Sequence, residues 1–226
     1  MMKLDPISKS EAARYMGIKG EPDENIKALL DRCEPIVREK LRPAYVYRES
    51  TVELVDKGVK LPEPGLLLTG KDIKRHLSGC TRVVVMAATV SAEADKLIRR
   101  AAVTDMAESL AVDCLCSAAV EQLCNRAEEE IFSVVSAPYR TWRFSPGYGD
   151  LPIALQRELL TALNAQRRIG LTVTDSFLLV PSKSVTAIIG ISDTQHGEGR
   201  KGGCESCKMY GNCAFSKIGG CGGELR

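Results

Sequence analysis

Two stretches of the sequence hold residue types whose spacing could do chemistry. The first is Arg143-Phe-Ser-Pro-Gly-Tyr-Gly-Asp150. Arg143 offers a planar fork that matches a carboxylate through two parallel hydrogen bonds. Gly147 and Gly149 admit backbone geometries closed to other residues and let a ligand come up against the main chain. Tyr148 adds a ring and a hydroxyl. Taken alone, the stretch reads more simply as a Gly/Pro connection with a surface Arg and a packing Tyr. The second stretch is Cys204-x2-Cys207-x5-Cys213-x7-Cys221, four thiols with glycines between them. Four thiolates suit tetrahedral Zn(II) or an iron–sulfur cluster, and the spacing does not choose between the two. A tail of free thiols is the third reading.

A third candidate is a single carboxylate. Val103, Met106, Leu110, Cys114 and Glu121 follow one another at 3, 4, 4 and 7 residues, which places them on one face of a helix. An acid on an apolar stripe needs a partner, because burying it alone is expensive. An ion pair with an Arg satisfies that need, and so does a ligand amine or hydroxyl. Other chemistry-bearing residues read as structural. His76 lies on an amphipathic helix, and His196 sits in a Gly-rich linker beside the cysteines. Cys114, Cys116 and Cys124 ride one long helix at spacings of 2 and 8, which do not converge on a metal. Glu128-Glu129-Glu130 reads as a solvated helix end.

The elements that must position these groups follow from caps, periodicity and turns. Ser8–Tyr15 reads as a short helix capped by Ser8, and Asp23–Arg42 as a longer amphipathic one stopped by Pro43. Ala44–Val55 reads as a strand leading into a turn through Pro62, Pro64 and Gly65. A short helix over Gly70–Leu77 and a buried strand over Arg82–Thr89 come next. Ser91 opens a helical region to about Ile131, with a break near Val103–Thr104, and Leu151–Arg168 is a further helix. Phe177–Val180 and Ser184–Ile191 read as antiparallel strands joined by Pro181-Ser182-Lys183. Helices and strands mix without βαβ alternation, so the expected fold is α+β: a twisted antiparallel sheet packed with helices. The expected units are 1–192, with a helical part over about 1–42, and a Gly/Cys-rich tail over 193–226.

Composition narrows the function classes. The 226 residues carry 31 Lys and Arg against 29 Asp and Glu, so no basic field points to nucleic acid. The longest apolar runs, such as Val83–Val90, are strand-length, and the first residues lack the core of a signal peptide. A cytoplasmic protein is expected. In that setting nine Cys argue for metal, redox or packing roles over disulfides. Cys33, Cys80, Cys114, Cys116 and Cys124 are scattered through apolar sequence, whereas the other four crowd the tail together with nine of the 19 glycines.

Arg143-x-x-x-Gly147-Tyr148, followed by Leu171-Thr-x-Thr-Asp-Ser-Phe-x-Leu-x-Pro-x-x-Ser-Val185, resembles the activation domain of cobalamin-dependent methionine synthase in its free-standing form. Ala119-Val-Glu-Gln-Leu123 resembles the helix segment from which a Glu of that family contacts the ligand. The resemblance is specific over about Glu121–Ile191, weaker over Gly70–Val120, and rests on whole-chain similarity before that. It implies S-adenosylmethionine as ligand, a cobalamin presented by a partner protein, and a flavodoxin- or ferredoxin-like electron donor. The implied function is reactivation of a separate methionine synthase in methionine biosynthesis, by reductive methylation of cob(II)alamin to methylcobalamin.

Carried over by residue, Arg143 holds the ligand carboxylate and Glu121 its amine or a ribose hydroxyl. Ser145 acts through its backbone where the family has Ala, Gly147 permits close approach, and Tyr148 stands at the cofactor face. Asp72 and Asp105 are the candidates for the family's N-terminal ligand-binding Asp. Ile188 and Ile189 occupy a stretch where the family commonly has a ligand-packing Tyr, and Gly-Tyr-Gly-Asp replaces the Gly-Tyr-Pro-Ala-Cys-Pro of the multidomain enzymes. The Cys tail lacks the Cys-x3-Cys-x2-Cys pattern of radical adenosylmethionine chemistry. No general base or nucleophile is evident, so the implied methyltransferase role is one of positioning. A metal or iron–sulfur redox accessory for a corrinoid methyltransferase is one alternative, and a non-catalytic interaction module on the same fold is another.

Overall fold

The computed structural model describes residues 3–194. The Ser8 hydroxyl accepts the Glu11 N–H at the start of α1 (Lys9–Tyr15), and the Asp23 carboxylate accepts the Ile26 N–H at the start of α2 (Glu24–Lys40). Each cap satisfies a backbone donor that a helix start leaves open. The strand expected over Ala44–Val55 is two strands. β1 (Ala44–Thr51) belongs to the main sheet, and Val52 ends that sheet's hydrogen bonding by donating to the Thr81 carbonyl. β2 (Glu53–Val55) then opens a separate antiparallel sheet with β3 (Gly58–Leu61) and β4 (Leu66–Thr69). The Pro62–Gly65 turn joins β3 to β4, two strands that the local Pro and Gly density concealed.

α3 (Lys71–His76) and β5 (Arg82–Thr89) fall where the sequence places them. The long helical region divides into α4 (Ala92–Thr104) and α5 (Met106–Val134). Asp105, extended at φ −154° and ψ 115°, makes the break, and its carboxylate accepts the N–H groups of Ala107 and Glu108 to start α5. The edge segment β6 (Tyr139–Arg140) precedes α6 (Leu155–Leu163), α7 (Ala165–Ile169), β7 (Thr172–Val173), β8 (Leu179–Val180) and β9 (Ser184–Ser192). The helix expected from Leu151 begins at Leu155 and is interrupted by Asn164 in the left-handed conformation. β8 and β9 do not form the expected hairpin. β8 pairs with β7, and β9 takes a central place because its residues from Thr186 to Ser192 are buried on both faces.

The main sheet runs β1-β5-β9-β6, antiparallel throughout. β5 is buried on both sides, and its period of two divides the core. Val84, Met86 and Ala88 pack with Leu30, Val37, Leu115 and Leu123 of α2 and α5. Val83, Val85 and Ala87 pack with Leu61, Leu68, Ile73 and Leu159 of the small sheet, α3 and α6. The α+β expectation holds: antiparallel sheets packed with helices. Among the described residues no helix is long and apolar enough to cross a membrane.

Cys33, Cys80, Cys114, Cys116 and Cys124 are free and buried, as a packing role requires. Burial raises the thiol pKa of Cys80 and Cys114 to about 11 and of Cys116 and Cys124 to about 12. Replacing Asp105 by Ala removes the acceptor for two orphan N–H groups at the head of α5. The expected loss is about 1 kcal/mol of unfolding free energy, read as a lower denaturation midpoint at unchanged slope.

Candidate functional site: an arginine–carboxylate cradle and a glycine loop

Arg143 owes its orientation to one extra residue in the edge strand. β6 pairs with β9 at Tyr139↔Ser192 and Arg140↔Ile191, and the chain meets β9 again at Phe144↔Ile188. Four steps along the edge therefore match three along β9, which is a β-bulge, a device that re-aims side chains. Thr141 carries the ladder across it. Its N–H donates to the Gly190 carbonyl at 2.9 Å, and its hydroxyl accepts the Gly190 N–H at 2.8 Å. Position 190 tolerates no side chain, since a Cβ there would lie 2.5 Å from Cys80 Sγ and 2.8 Å from Leu77 Cδ2.

From the bulge Arg143 meets a polar strip on α5. Its Nη2 donates to Glu121 Oε2 at 3.2 Å and to Asn125 Oδ1 at 2.9 Å. Its Nη1 lies 3.7 Å from Glu128 Oε2, too far for a hydrogen bond, and is buried without a hydrogen-bond partner. The Arg143 side chain is 18% exposed. Glu121 is not the buried acid on an apolar stripe that the spacing predicted: its side chain is 45% exposed. Val103 lies on the other helix, beyond the break at Asp105, and Met106 and Leu110 face solvent. The Arg partner anticipated for Glu121 is Arg143 itself. Burial and the negative field of Glu121 also raise the phenol pKa of Tyr15 on α1.

The glutamate run at 128–130 corrects another expectation. Glu128 is largely covered and pairs with both Arg140 and Arg143, while Glu130 accepts from the Tyr45 hydroxyl and Arg126. Glu129 matches the solvated reading, and Glu130, its side chain 40% exposed, matches it in part. Asn125 and Glu128 were not among the sequence candidates. The signal for them is positions 121, 125 and 128 recurring at helical spacing, which puts three polar side chains on one face.

The glycine loop closes on itself beyond the bulge. Tyr148 N–H donates to the Ser145 carbonyl, Leu151 N–H to the Tyr148 carbonyl and Gly147 N–H to the Leu151 carbonyl, at 2.9–3.0 Å. Gly147 sits at φ +93°, a region favouring glycine. The Ser145 hydroxyl donates to the Thr186 carbonyl at 2.7 Å, so this side chain is tied to β9. Tyr148 is half exposed, its ring edge-on to Phe144 at 5.9 Å. Beneath it Trp142, Phe144 and His76 form one aromatic group, with His76 4.8 Å from Trp142 and 4.9 Å from Phe144.

The loop ends against α3. Asp150 Oδ2 accepts the Lys71 N–H at 2.7 Å and Oδ1 accepts the Asp72 N–H at 2.9 Å, while Asp72 Oδ2 accepts the Asp150 N–H at 3.1 Å. Asp72 is thus engaged in holding the loop, and Asp105 in capping α5. Ile188 and Ile189 are fully buried core positions on β9. Among the described residues no group of three or more His, Cys, Asp or Glu is arranged to hold a metal. Cys204, Cys207, Cys213 and Cys221, with His196, lie outside the described residues.

Fold and site together define an α+β domain that joins an arginine–carboxylate cradle on a long helix to a glycine loop at the sheet edge. The chain belongs to the family of vitamin B12 dependent methionine synthase activation domains, whose model matches residues 81–196. The solved structure described as "Crystal Structure of the MetH Reactivation Domain bound to AdoHcy" is similar at a TM-score of 0.66 and 17% identity, covering 84% of this chain and 76% of that one. No curated protein matches the chain.

Burial lowers the His76 pKa from 6.5 to about 4 and outweighs its hydrogen bond to the Trp142 backbone. The folded state therefore holds a neutral imidazole, and its stabilising contribution is full above the unfolded value. It is lost as pH falls from about 6.5 towards about 4. Between pH 7 and pH 5 the wild type should lose about 2 kcal/mol through this group. His76→Gln should show a correspondingly flatter dependence in denaturant titrations at the two pH values.

Proposed function

We propose that this chain binds S-adenosylmethionine and presents its methyl group to the cobalamin of a separate methionine synthase. The observation that carries the reading is the buried, unpartnered Nη1 of Arg143 beside the half-exposed Glu121. A free amino acid head bears both an α-carboxylate and an α-ammonium. The carboxylate suits the Arg143 fork, which has a hydrogen bond still to make, and Glu121 is the acid at hand for the ammonium or a ribose hydroxyl. Ser145 has its hydroxyl on Thr186, so its main chain is the part left to meet the ligand. Gly147 leaves the approach clear, and Tyr148 stands at the cofactor face, between the sulfonium and the corrin.

The overall chemistry takes one electron from a flavodoxin- or ferredoxin-like donor and the sulfonium methyl, converts cob(II)alamin to methylcobalamin, and releases S-adenosylhomocysteine. This chain's part is to bind and orient the donor. The matched family and the AdoHcy named for the similar structure support the ligand class. The partner's identity and the cytoplasmic setting belong to the same proposal. Residues 1–192 act as the presenting unit, and 193–226 form a tail whose four cysteines bind Zn(II) or an iron–sulfur cluster.

Titration calorimetry tests the first step. Wild-type protein should bind S-adenosylmethionine, and Arg143→Gln should weaken binding about 10- to 100-fold, the range expected for charged hydrogen bonds. Glu121→Gln should weaken binding more than it lowers thermal stability, since this side chain is half exposed. A wild type that takes up no S-adenosylmethionine sinks the reading. Anaerobic incubation with S-adenosylmethionine, a reductant and the cob(II)alamin partner should then yield the methylcobalamin absorbance.

The tail is tested separately by metal analysis of anaerobically purified protein. About one equivalent of zinc, or the visible absorbance of an iron–sulfur cluster, is expected, and both should vanish when 203–226 is removed. Absence of any metal in the full chain refutes the tail assignment. Loss of reactivation with intact ligand binding in the truncated chain assigns the tail a redox role.

A further inference from the structure

We propose that Asp150 and Asp72 are positioning residues for Tyr148, aiming the glycine loop from α3. The inference rests on the reading of that loop as the S-adenosylmethionine-presenting element. The near end of the loop is fixed to β9 by the two-way Phe144↔Ile188 backbone pair and by the Ser145 hydroxyl. Its three internal hydrogen bonds close the turn, and the Tyr148 ring lies against Phe144. Two of its residues, Gly147 and Gly149, have the most backbone freedom to lose on ordering. The reciprocal carboxylate-to-amide bonds between Asp150 and α3 give the loop a far anchor to match the near one.

The chemistry of the anchor is specific. Each Asp150 oxygen takes a different backbone N–H, and charged acceptors make these the stronger class of hydrogen bond. An amide in that place offers one acceptor and turns an NH2 towards the second N–H. The approach also depends on two glycines. A Cβ on Gly149, at φ +53°, would lie 2.3 Å from Asp72 Oδ2, and one on Gly70, at φ +137°, 2.5 Å from Asp150 Oδ1. Two carboxylates, 78 positions apart in the chain, and the two glycines Gly70 and Gly149 thus fit as one joint. Gly70 and Asp72 precede the family match, so the element that aims the loop comes from the first 80 residues of this chain.

The test compares wild type with Asp150→Asn and Gly149→Ala, all assayed well below their unfolding temperatures. Amide hydrogen exchange without any ligand should speed up at least tenfold at Tyr148 and Leu151 in both variants, while α5 keeps wild-type protection. S-adenosylmethionine binding should weaken at least fivefold in Asp150→Asn. Combining Asp150→Asn with Tyr148→Ala should slow reactivation no further than Tyr148→Ala alone. Unchanged exchange in the loop overturns the inference whether or not the ligand binds. Fast exchange with wild-type affinity, or additive losses in the double variant, also overturns it. Fast loop exchange in a protein whose wild type ignores S-adenosylmethionine upholds the anchor and refutes the proposed function instead.

Discussion

A guanidinium carried out of water must take its counter-charges with it, and much of this structure follows from doing so for Arg143. The counter-charges come from α5, at Glu121 and Glu128, with Asn125 between them. That requires a helix long enough to pass the sheet edge, and α5 is the longest element of the described chain. It also requires the edge strand to turn one arginine towards α5 while Phe144 still pairs with β9. The bulge between Arg140 and Phe144 meets both demands, and Gly190 lets α3 and the bulge close on β9.

The two carboxylates differ in what they can do. Exposed ion pairs contribute about 0–1 kcal/mol, whereas leaving a buried charge without its partner costs about 3–5 kcal/mol. Glu121, at 45% exposure, lies near the first limit, and Glu128, at 19% and shared with Arg140, lies nearer the second. On the proposed reading, Glu121 can therefore leave Arg143 at small cost to meet the ligand's ammonium or hydroxyl, while Glu128 keeps the guanidinium compensated. On the proposed reading this asymmetry makes the pair with Glu121 exchangeable and the pair with Glu128 permanent.

How much was legible in the sequence follows the range of the forces involved. Caps at Ser8 and Asp23, the doubly apolar β5 and the break in the long helix are local, and each was found within a residue or two. Arg143, Glu121 and the loop were found as residue types, but their contact was not, since nothing local says that a bulge will turn Arg143 towards α5. The hairpin between β8 and β9 failed because turn chemistry at Pro181 is local, while the partners of β9 are chosen by burial on both of its faces. Glu128 failed similarly: a run of three acids reads as solvated until two arginines from the edge strand arrive beside one of them. The nine cysteines divide along the same line. Five ride apolar periodicity that predicts burial, and their raised thiol pKa values agree with it.

Where the resemblance to the multidomain enzymes would put proline, this chain has Gly149, and the loop is stiffened in another way. Proline restricts a backbone from within, by fixing φ through its ring, and acts without reference to the rest of the fold. Glycine gives that restriction up, and here it does so in exchange for contact: only at a position without a Cβ can the loop come within reach of the Asp72 carboxylate. The stiffness is then borrowed from α3, which is held in turn by Ile73, Leu77 and the buried face of β5. A loop stiffened from within can be carried by any sheet edge. A loop stiffened by a distant helix can be no more ordered than the core beneath that helix. On the proposed reading, the order of the glycine loop is tied to the packing between α3 and β5, which makes the N-terminal half part of the machinery rather than an appendage to it.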